Sequence, residues 1–506
     1  MDNARDLELL VLSRHPIVAL ETAEEDRAEA LVRGVASRLE LPLFEWRSTR
    51  GLVRHGTRDP LYDTDKPAAA LKAAAAMQTD ALYLFHDLQR HFEDPVVLRS
   101  LRDIARVFTT ARRALVLCAP EIAVPSDLRA SVVPFTLDLP DAVELRRMVV
   151  RTLRELGAPR ALKIDLALPD LERLILSLKG LTLQEAQRLL MQAALDDLRL
   201  DRADLRAIVA RKKDLLARDG VLTLHPQETT LQQVGGLQTL KGWLKTRGAA
   251  FGPEARRYGL EPPRGLLLIG VQGCGKSLCA RAVAAEWDLP LLQLEAGALF
   301  DKFVGESERN MRRALKTAEA MAPCVLWIDE VEKGFAARDA AADGGLSRRL
   351  LGALLTWMQE RTAPVFTVAT ANDVGTLPPE MLRKGRFDEI FFVDLPAEAA
   401  RRSIAAIHLA RRRQDPARFD LAGLAAATEG FSGAEIEAAV VSALYVAFAA
   451  RAPLEDRHLL EAIGATVPLS RTCREPIEAL RGWAEGRAVP AAGPATSPAV
   501  ATRPAA

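Results

Sequence analysis

Short apolar runs alternate with helix-length amphipathic stretches along most of this chain, the pattern of strands and crossover helices in a parallel sheet. In the second half, apolar runs at 265–269, 291–294, 324–328, 365–369 and 390–393 predict strands, and a helical segment follows from 397 to about 465. That half reads as a sheet carrying a helical lid. In the first half, runs at 17–20, 42–46, 81–85, 114–118 and 132–137 succeed one another in the same way, so it too reads as α/β. Between the halves, residues 220–235 (GVLTLHPQETTLQQVG) are polar and contain Pro226, which predicts a linker. The final Ala/Pro/Thr/Ser run cannot bury apolar surface and predicts a disordered tail. The expected organisation is an N-terminal α/β domain over 1–219, a linker over 220–235, a core over 236–396, a lid over 397–483 and a tail over 484–506.

Composition narrows the function classes. The chain of 506 residues is long enough for roughly three domains. Its 68 basic and 67 acidic residues leave a formal charge of +1, so no whole-chain field points to nucleic acid or an anionic membrane. Five cysteines lie scattered, without ligand spacing, which predicts neither disulfide nor zinc. The start, MDNARDLELL, lacks the basic and apolar segments of a signal peptide, and no apolar run is long enough to span a bilayer; the expected location is cytoplasmic.

The strongest chemical signal is Gly270-Val271-Gln272-Gly273-Cys274-Gly275-Lys276-Ser277, followed by Leu278, set between an apolar run and a helical pattern. The glycines let backbone N–H groups turn inward around phosphate, the following helix favours negative charge, Lys276 reaches the terminal phosphates, and Ser277 can ligate Mg2+. Further on, Val325-Leu-Trp-Ile-Asp329-Glu330 is an apolar strand ending in two acids. Asp329 is placed to serve Mg2+, and Glu330 to polarise an attacking water. The next apolar run ends in Asn372, whose amide can orient that water; an Asx turn residue is the plainer alternative. Arg383 and Arg386 stand three apart in a glycine-containing turn, and planar guanidinium groups suit a phosphoryl transition state, although such a pair taken alone is ordinary surface charge.

These pieces, in this order, resemble the AAA family of ATPases across the C-terminal half. The resemblance implies ATP and Mg2+ as ligands, Asn372 as a sensor of phosphate, and Arg383 with Arg386 reaching into the next subunit of a hexameric ring. It assigns Gly235, His408, Gly433 and Ala434 to the surroundings of adenine and ribose; His408 could equally be a packed lid histidine. It also likens Lys302-Phe303-Val304-Gly305 to a pore loop that grips a threaded chain, against the alternative of Phe303 as a packed residue at a helix entrance. Longer stretches, among them GLLLIGVQGCGKSL, LLTWMQE and LPPEMLRKGRFDEIFFVDLP in the second half and IVALETAEEDRAEAL in the first, resemble one branch: the AAA proteins encoded as a conserved reading frame in algal plastid genomes, with bacterial relatives.

The first half echoes the second. Phe135-Thr-Leu-Asp-Leu-Pro140 parallels Phe392-Val-Asp-Leu-Pro396, and 178–187 parallels 428–437. The first half is therefore expected to be a degenerate AAA-like module, with an unrelated α/β regulatory domain as the alternative. Its first loop reads Glu21-Thr-Ala-Glu24-Glu25-Asp26, acids that repel phosphate, and Phe85-His86-Asp87-Leu88 retains one carboxylate with leucine at the second acidic position. The expected function is an ATP-hydrolysing, oligomeric remodeller acting on an unknown protein substrate or adaptor, with no nucleic-acid partner. The rival reading is a nucleotide-dependent binding switch without translocation.

Overall fold

A computed structural model describes residues 3–160, 163–217, 220–226, 229–299, 306–335, 345–383 and 385–493. The backbone divides into two compact units, Met1–Pro159 with Leu181–Met191, and Arg160–Gly180 with Gln192–Ala506.

The first unit opens with α1 (Asn3–Leu12), β1 (Ile17–Glu21), α2 (Glu25–Arg38), the hairpin strands β2 (Leu43–Arg47) and β3 (Gly51–Arg54), α3 (Pro67–Ala76), β4 (Leu82–His86), α4 (Pro95–Phe108), β5 (Ala114–Ala119), β6 (Val132–Thr136) and α5 (Ala142–Arg160). β4 and β5 are buried at every position, as strands covered on both faces must be. Among the described residues the sheet order is β3-β2-β4-β5-β1-β6, parallel except for β3. One core, with Trp46, Tyr83, Phe85 and Phe108, lies on one face, and a second, with Leu7, Val32, Val35 and Leu84, on the other.

Then come α6 (Leu168–Leu178), with β7 (Lys163–Ile164) before it, α7 (Leu183–Asp196), β8 (Arg199–Leu200), α8 (Arg202–Leu216) and β9 (Leu222–His225). The second sheet continues with α9 (Gln238–Gly248), α10 (Pro253–Arg257), β10 (Gly265–Gly270), α11 (Lys276–Glu286), β11 (Leu291–Leu294), α12 (Glu306–Ala320), β12 (Cys324–Ile328), α13 (Val331–Phe335), α14 (Leu346–Glu360), β13 (Val365–Ala371) and β14 (Glu389–Val393). A helical cluster follows: α15 (Glu398–Arg411), α16 (Leu421–Ala427), α17 (Gly433–Ala449) and α18 (Asp456–Gly464), with a core of its own around Leu409, Ile436, Val440 and Leu459. The chain ends with α19 (Leu469–Thr472), α20 (Arg474–Ala484) and β15 (Val489–Pro490).

The second sheet runs β15-β14-β10-β13-β12-β11-β9, parallel except for β9. β10 stands between the last and the fourth of its core strands, a topological switch point, so the crevice outside its carboxyl end is where a parallel sheet takes a ligand. Counting core strands in chain order, both sheets read fifth, first, fourth, third, second, then an antiparallel edge. The edge follows the second strand as a hairpin in the first sheet and precedes the first strand in the other.

Three expected boundaries change. Residues 222–225, inside the expected linker, form the antiparallel edge strand β9 on β11, because alternating Leu222 and Leu224 find a partner that sequence spacing cannot reveal. Residues 160–180 and 192–219, expected in the first domain, cluster with the second unit. The expected tail also starts later. Leu480 and Ala484 join the core beneath the second sheet, Arg481 binds Asp394, and Val489 and Pro490 pair with Phe391 and Phe392. The Ala/Pro composition is compatible with an edge strand because Pro490 sits on the sheet margin, where a missing N–H costs nothing. Residues 494–506 lie outside the described residues.

Candidate active site

The loop between β10 and α11 is shaped by glycine. A Cβ on Gly270, at φ +152°, would lie 2.0 Å from the Val393 carbonyl oxygen of the neighbouring strand. Gly273 and Gly275 hold φ of +75° and +90°, a region costly for residues with a side chain. Val271 is buried and its N–H donates to the Val393 carbonyl, while Gln272 is exposed at the loop's tip. The Lys276 ammonium is buried and donates at 2.8 Å to the carbonyls of both Gly270 and Val271; burial lowers its pKa to about 8. Cys274, a free thiol beside it, is pushed up to about 12 by burial, so it is not a thiolate at neutral pH. Leu278 packs against the core on this side of the sheet.

Two strand ends, those of β12 and β13, converge with the start of α11 beside this loop. Ser277 Oγ donates to Asp329 Oδ1 at 2.9 Å. Thr370, on β13, donates its hydroxyl to the same oxygen and accepts from the Glu330 N–H at 2.9 Å. Glu330 sits at φ +46°, turning out of β12, and its Oε1 accepts from Asn372 Nδ2 at 2.8 Å. The Asn372 backbone N–H donates to buried Glu332, whose burial raises its pKa. The second oxygen of Glu330 meets Lys333 at 2.5 Å. The result is a polar set joined link by link from Ser277 to Lys333. Thr370, Glu332 and Lys333 were not singled out in the sequence. Thr370 lies two residues before Asn372, and Glu332 and Lys333 stand two and three residues after Glu330, so proximity to the motifs was the available signal.

The helical cluster meets the loop through small residues. The Ala434 N–H, at the start of α17, donates to the Gly273 carbonyl at 3.0 Å, and a Cβ on Gly433 would stand 3.3 Å from that oxygen. Gly235 packs on Ile404 of α15, where a Cβ would come within 2.5 Å. His408, one turn further along α15, is buried and faces Glu437 at 3.5 Å; burial lowers its pKa, and Arg412 shares the same carboxylate at 2.8 Å. Its observed partners are thus lid residues. Arg386 donates to the Glu380 carbonyl within its own loop, and Arg383 is exposed; neither pairs with Asp329, Glu330 or Asn372 among the described residues. Lys302, Phe303, Val304 and Gly305 lie outside the described residues.

The corresponding place in the first sheet is built differently. Only Thr22–Glu24 separate β1 from α2, against Val271–Gly275 between β10 and α11, so no room is left for a phosphate cradle. Glu24 is buried, with Oε1 accepting from the Leu183 N–H at 2.7 Å at the start of α7, and Oε2 3.2 Å from Arg27. Arg27 also binds the Asp138 carbonyl and, at 2.8 Å, Glu144. Thr182 and Glu185 bracket the start of α7 with reciprocal bonds of 2.9 and 3.2 Å, as Ser432 and Glu435 do at α17 with 2.7 and 3.3 Å. Gly180 and Gly430, two residues earlier in each case, share φ of +84° and +79°.

Strand register corrects one correspondence. Leu20 lies opposite Phe135 and Cys118 as Leu268 lies opposite Phe391 and Thr370, and His86 lies opposite Cys118. With Leu20 matched to Leu268, and with Ile328 opposite Ala369, His86 falls at the place of Asp329. Asp87, at φ +55°, occupies that of Glu330, rather than leucine standing there. His86 is buried 2.8 Å from Glu25, and burial lowers its pKa.

Family models match both halves of the chain. Residues 266–395 match the ATPase family associated with various cellular activities (AAA), and 418–461 match an AAA+ lid domain. Residues 3–137 and 143–219 match the N-terminal and second domains of SpoVK-like AAA ATPases. The chain is 35% identical to the protein described as uncharacterized AAA domain-containing protein ycf46 in Pyropia yezoensis, over 96% of this chain and 99% of that one. The Guillardia theta protein of the same description is also 35% identical, over 96% and 95%. An ATPase family protein 2 homolog of Caenorhabditis elegans is 33% identical over 52% of this chain and 37% of its own.

Proposed function

This chain belongs to the AAA ATPase family, and on that premise we propose that it binds ATP with Mg2+ at the carboxyl ends of β10, β12 and β13 and hydrolyses it to ADP and phosphate. One observation carries the reading: Ser277, Asp329, Thr370, Glu330 and Asn372, drawn from the ends of β12 and β13 and the helix after the glycine loop, form a single hydrogen-bonded set beside the Lys276 ammonium. The N–H groups of 272–275 and the Lys276 ammonium suit the phosphates, the lysine exchanging two carbonyl partners for charged oxygens. The touching oxygens of Ser277 and Asp329 are hard donors that fit Mg2+ and leave the rest of its shell to phosphate and water. The ion, when bound, neutralises charge on the phosphates. Glu330 accepts the proton of the attacking water, and Asn372 orients that carboxylate and the water. Gly235, Gly433 and Ala434, where lid and core meet, border the nucleotide's other end, with His408 behind them on α15.

We further infer an oligomeric remodeller. Support comes from Arg383 and Arg386, which do not serve the site of their own chain among the described residues and are free to complete a neighbour's. The first unit is proposed to be a duplicated module without a nucleotide site, on the strength of its matching strand order, its shortened loop and the matched helix start at Thr182. The alternative of a nucleotide-dependent switch is favoured by a separate observation: both oxygens of Glu330 are engaged, an arrangement suited to slow turnover.

Parallel measurement of ATP turnover and of mass in solution, on native protein and Glu330→Gln, tests the reading. The expected outcome is turnover at least about 100-fold lower in the variant with ATP still bound, and growth of the native particle toward six subunits with ATP. A particle that stays monomeric or dimeric throughout would remove the ring and leave the switch. Native protein that neither binds nor turns over ATP would remove both.

A further inference from the structure

Glu330 is restrained from two sides, and the two restraints differ in kind. On one side Asn372 ends β13, and its backbone N–H is bound to buried Glu332, so its amide reaches Glu330 from a fixed position. On the other, Lys333 lies three residues on, within α13, with 67% of its side chain exposed, and its ammonium meets the remaining Glu330 oxygen at 2.5 Å. A carboxylate that must accept a proton from water is misdirected when it pairs with an ammonium, because the paired oxygen is turned toward the cation instead of toward water. Asn372 holds Glu330 through a short side chain on an anchored backbone, whereas Lys333 does so through a long, exposed and flexible stem.

We propose that Lys333 is a positioning residue that restrains Glu330, so that ATP turnover runs below the rate the site could support until the lysine is drawn away. The inference rests on the ATPase reading above and adds regulation to it. Lys333 pairs with Glu330 and acts through it.

The test compares the full-length native protein with Lys333→Ala, Lys333→Arg, Glu330→Gln and the Lys333→Ala/Glu330→Gln double variant, measuring kcat, KM for ATP, binding of a fluorescent ATP analogue and thermal unfolding. Removing an exposed ion pair of this kind is expected to raise kcat roughly two- to fivefold with KM unchanged. Lys333→Arg keeps the native rate, because a guanidinium restores the pair. The double variant is as inactive as Glu330→Gln, since the lysine acts only through the glutamate. A merely structural lysine would shift the unfolding midpoint or KM and would not speed the reaction. If the native protein hydrolyses ATP and Lys333→Ala is no faster, the restraint is overturned and the ATPase reading stands. If native protein is silent but Lys333→Ala turns over, the restraint is complete. If every variant is silent and the analogue does not bind, the ATPase reading fails and the restraint with it.

Discussion

Lys212 shows how one residue's chemistry depends on where the chain puts it. On α8 it is one cation in the Lys/Arg-rich run ARKKD, yet its ammonium is buried and donates at 2.9 Å to the Ser177 carbonyl and to that of Lys179, closing the last turn of α6. Burial lowers its pKa to about 7 from 10.5. Below about pH 7 the folded protein carries this buried charge at its full cost, a few kcal/mol. As pH rises through about 7 the folded protein releases the proton while the unfolded lysine keeps it to 10.5, so the native fold gains stability over that window. Chemical denaturation of native protein and Lys212→Met at pH 6.5 and 9 should show the native protein gaining on the variant as pH rises. A difference independent of pH would mean the lysine is accommodated charged. Gly270 is the opposite case: its need for glycine was legible from the motif alone, and the Val393 carbonyl supplies the physical reason.

At the scale of elements, α2, α7 and the loop before α2 form a device whose members are far apart in sequence. In the second unit, the start of α17 donates a backbone N–H to the glycine loop itself. In the first, the Glu24 carboxylate reaches out of the shortened loop to the start of α7, with Arg27 behind it. A negative group thus sits where a helix N-terminus favours one. Glu24→Ala should loosen the start of α7: amide exchange at 183–187 rises by roughly one to two orders of magnitude, since a buried charge-assisted bond contributes about 1.5–3 kcal/mol. The ATP affinity of the second unit should be unchanged. Unaltered exchange in α7 would show that helix to be held by its apolar face alone. Burial raises the pKa of Glu24. The acids of Glu21-Thr-Ala-Glu24-Glu25-Asp26 announced that phosphate was unwelcome, but which of them turns inward was decided by the register of β1 against β6 and by the arrival of residues 181–185.

For the whole molecule, the sharpest expectation concerns assembly. If Arg383 and Arg386 complete a neighbour's site, a mixture of Lys276→Ala, whose arginines are intact, with Arg383→Ala/Arg386→Ala, whose own site is intact, should hydrolyse ATP faster than either protein alone. Turnover equal to the sum of the separate proteins would place the arginines outside the chemistry. No helix among the described residues is long and apolar enough to cross a membrane, in keeping with the mixed composition. The sequence by itself determined the α/β class and the core strands of both sheets, and it singled out the glycine loop, the acidic pair and Asn372 on which the proposed site rests, because strand burial and phosphate chemistry both impose local patterns that survive in one dimension. The tertiary structure decided what depends on partners distant in sequence. It turned 222–225 from linker into the edge strand β9, and drew 484–491 from the expected tail onto the core and β14. It set His86 rather than Asp87 in the place of Asp329, and closed Thr370, Glu332 and Lys333 around the two acids. A strand's pairing and a side chain's hydrogen bond are fixed by the surface that folding brings opposite them, and no local pattern records which surface that will be.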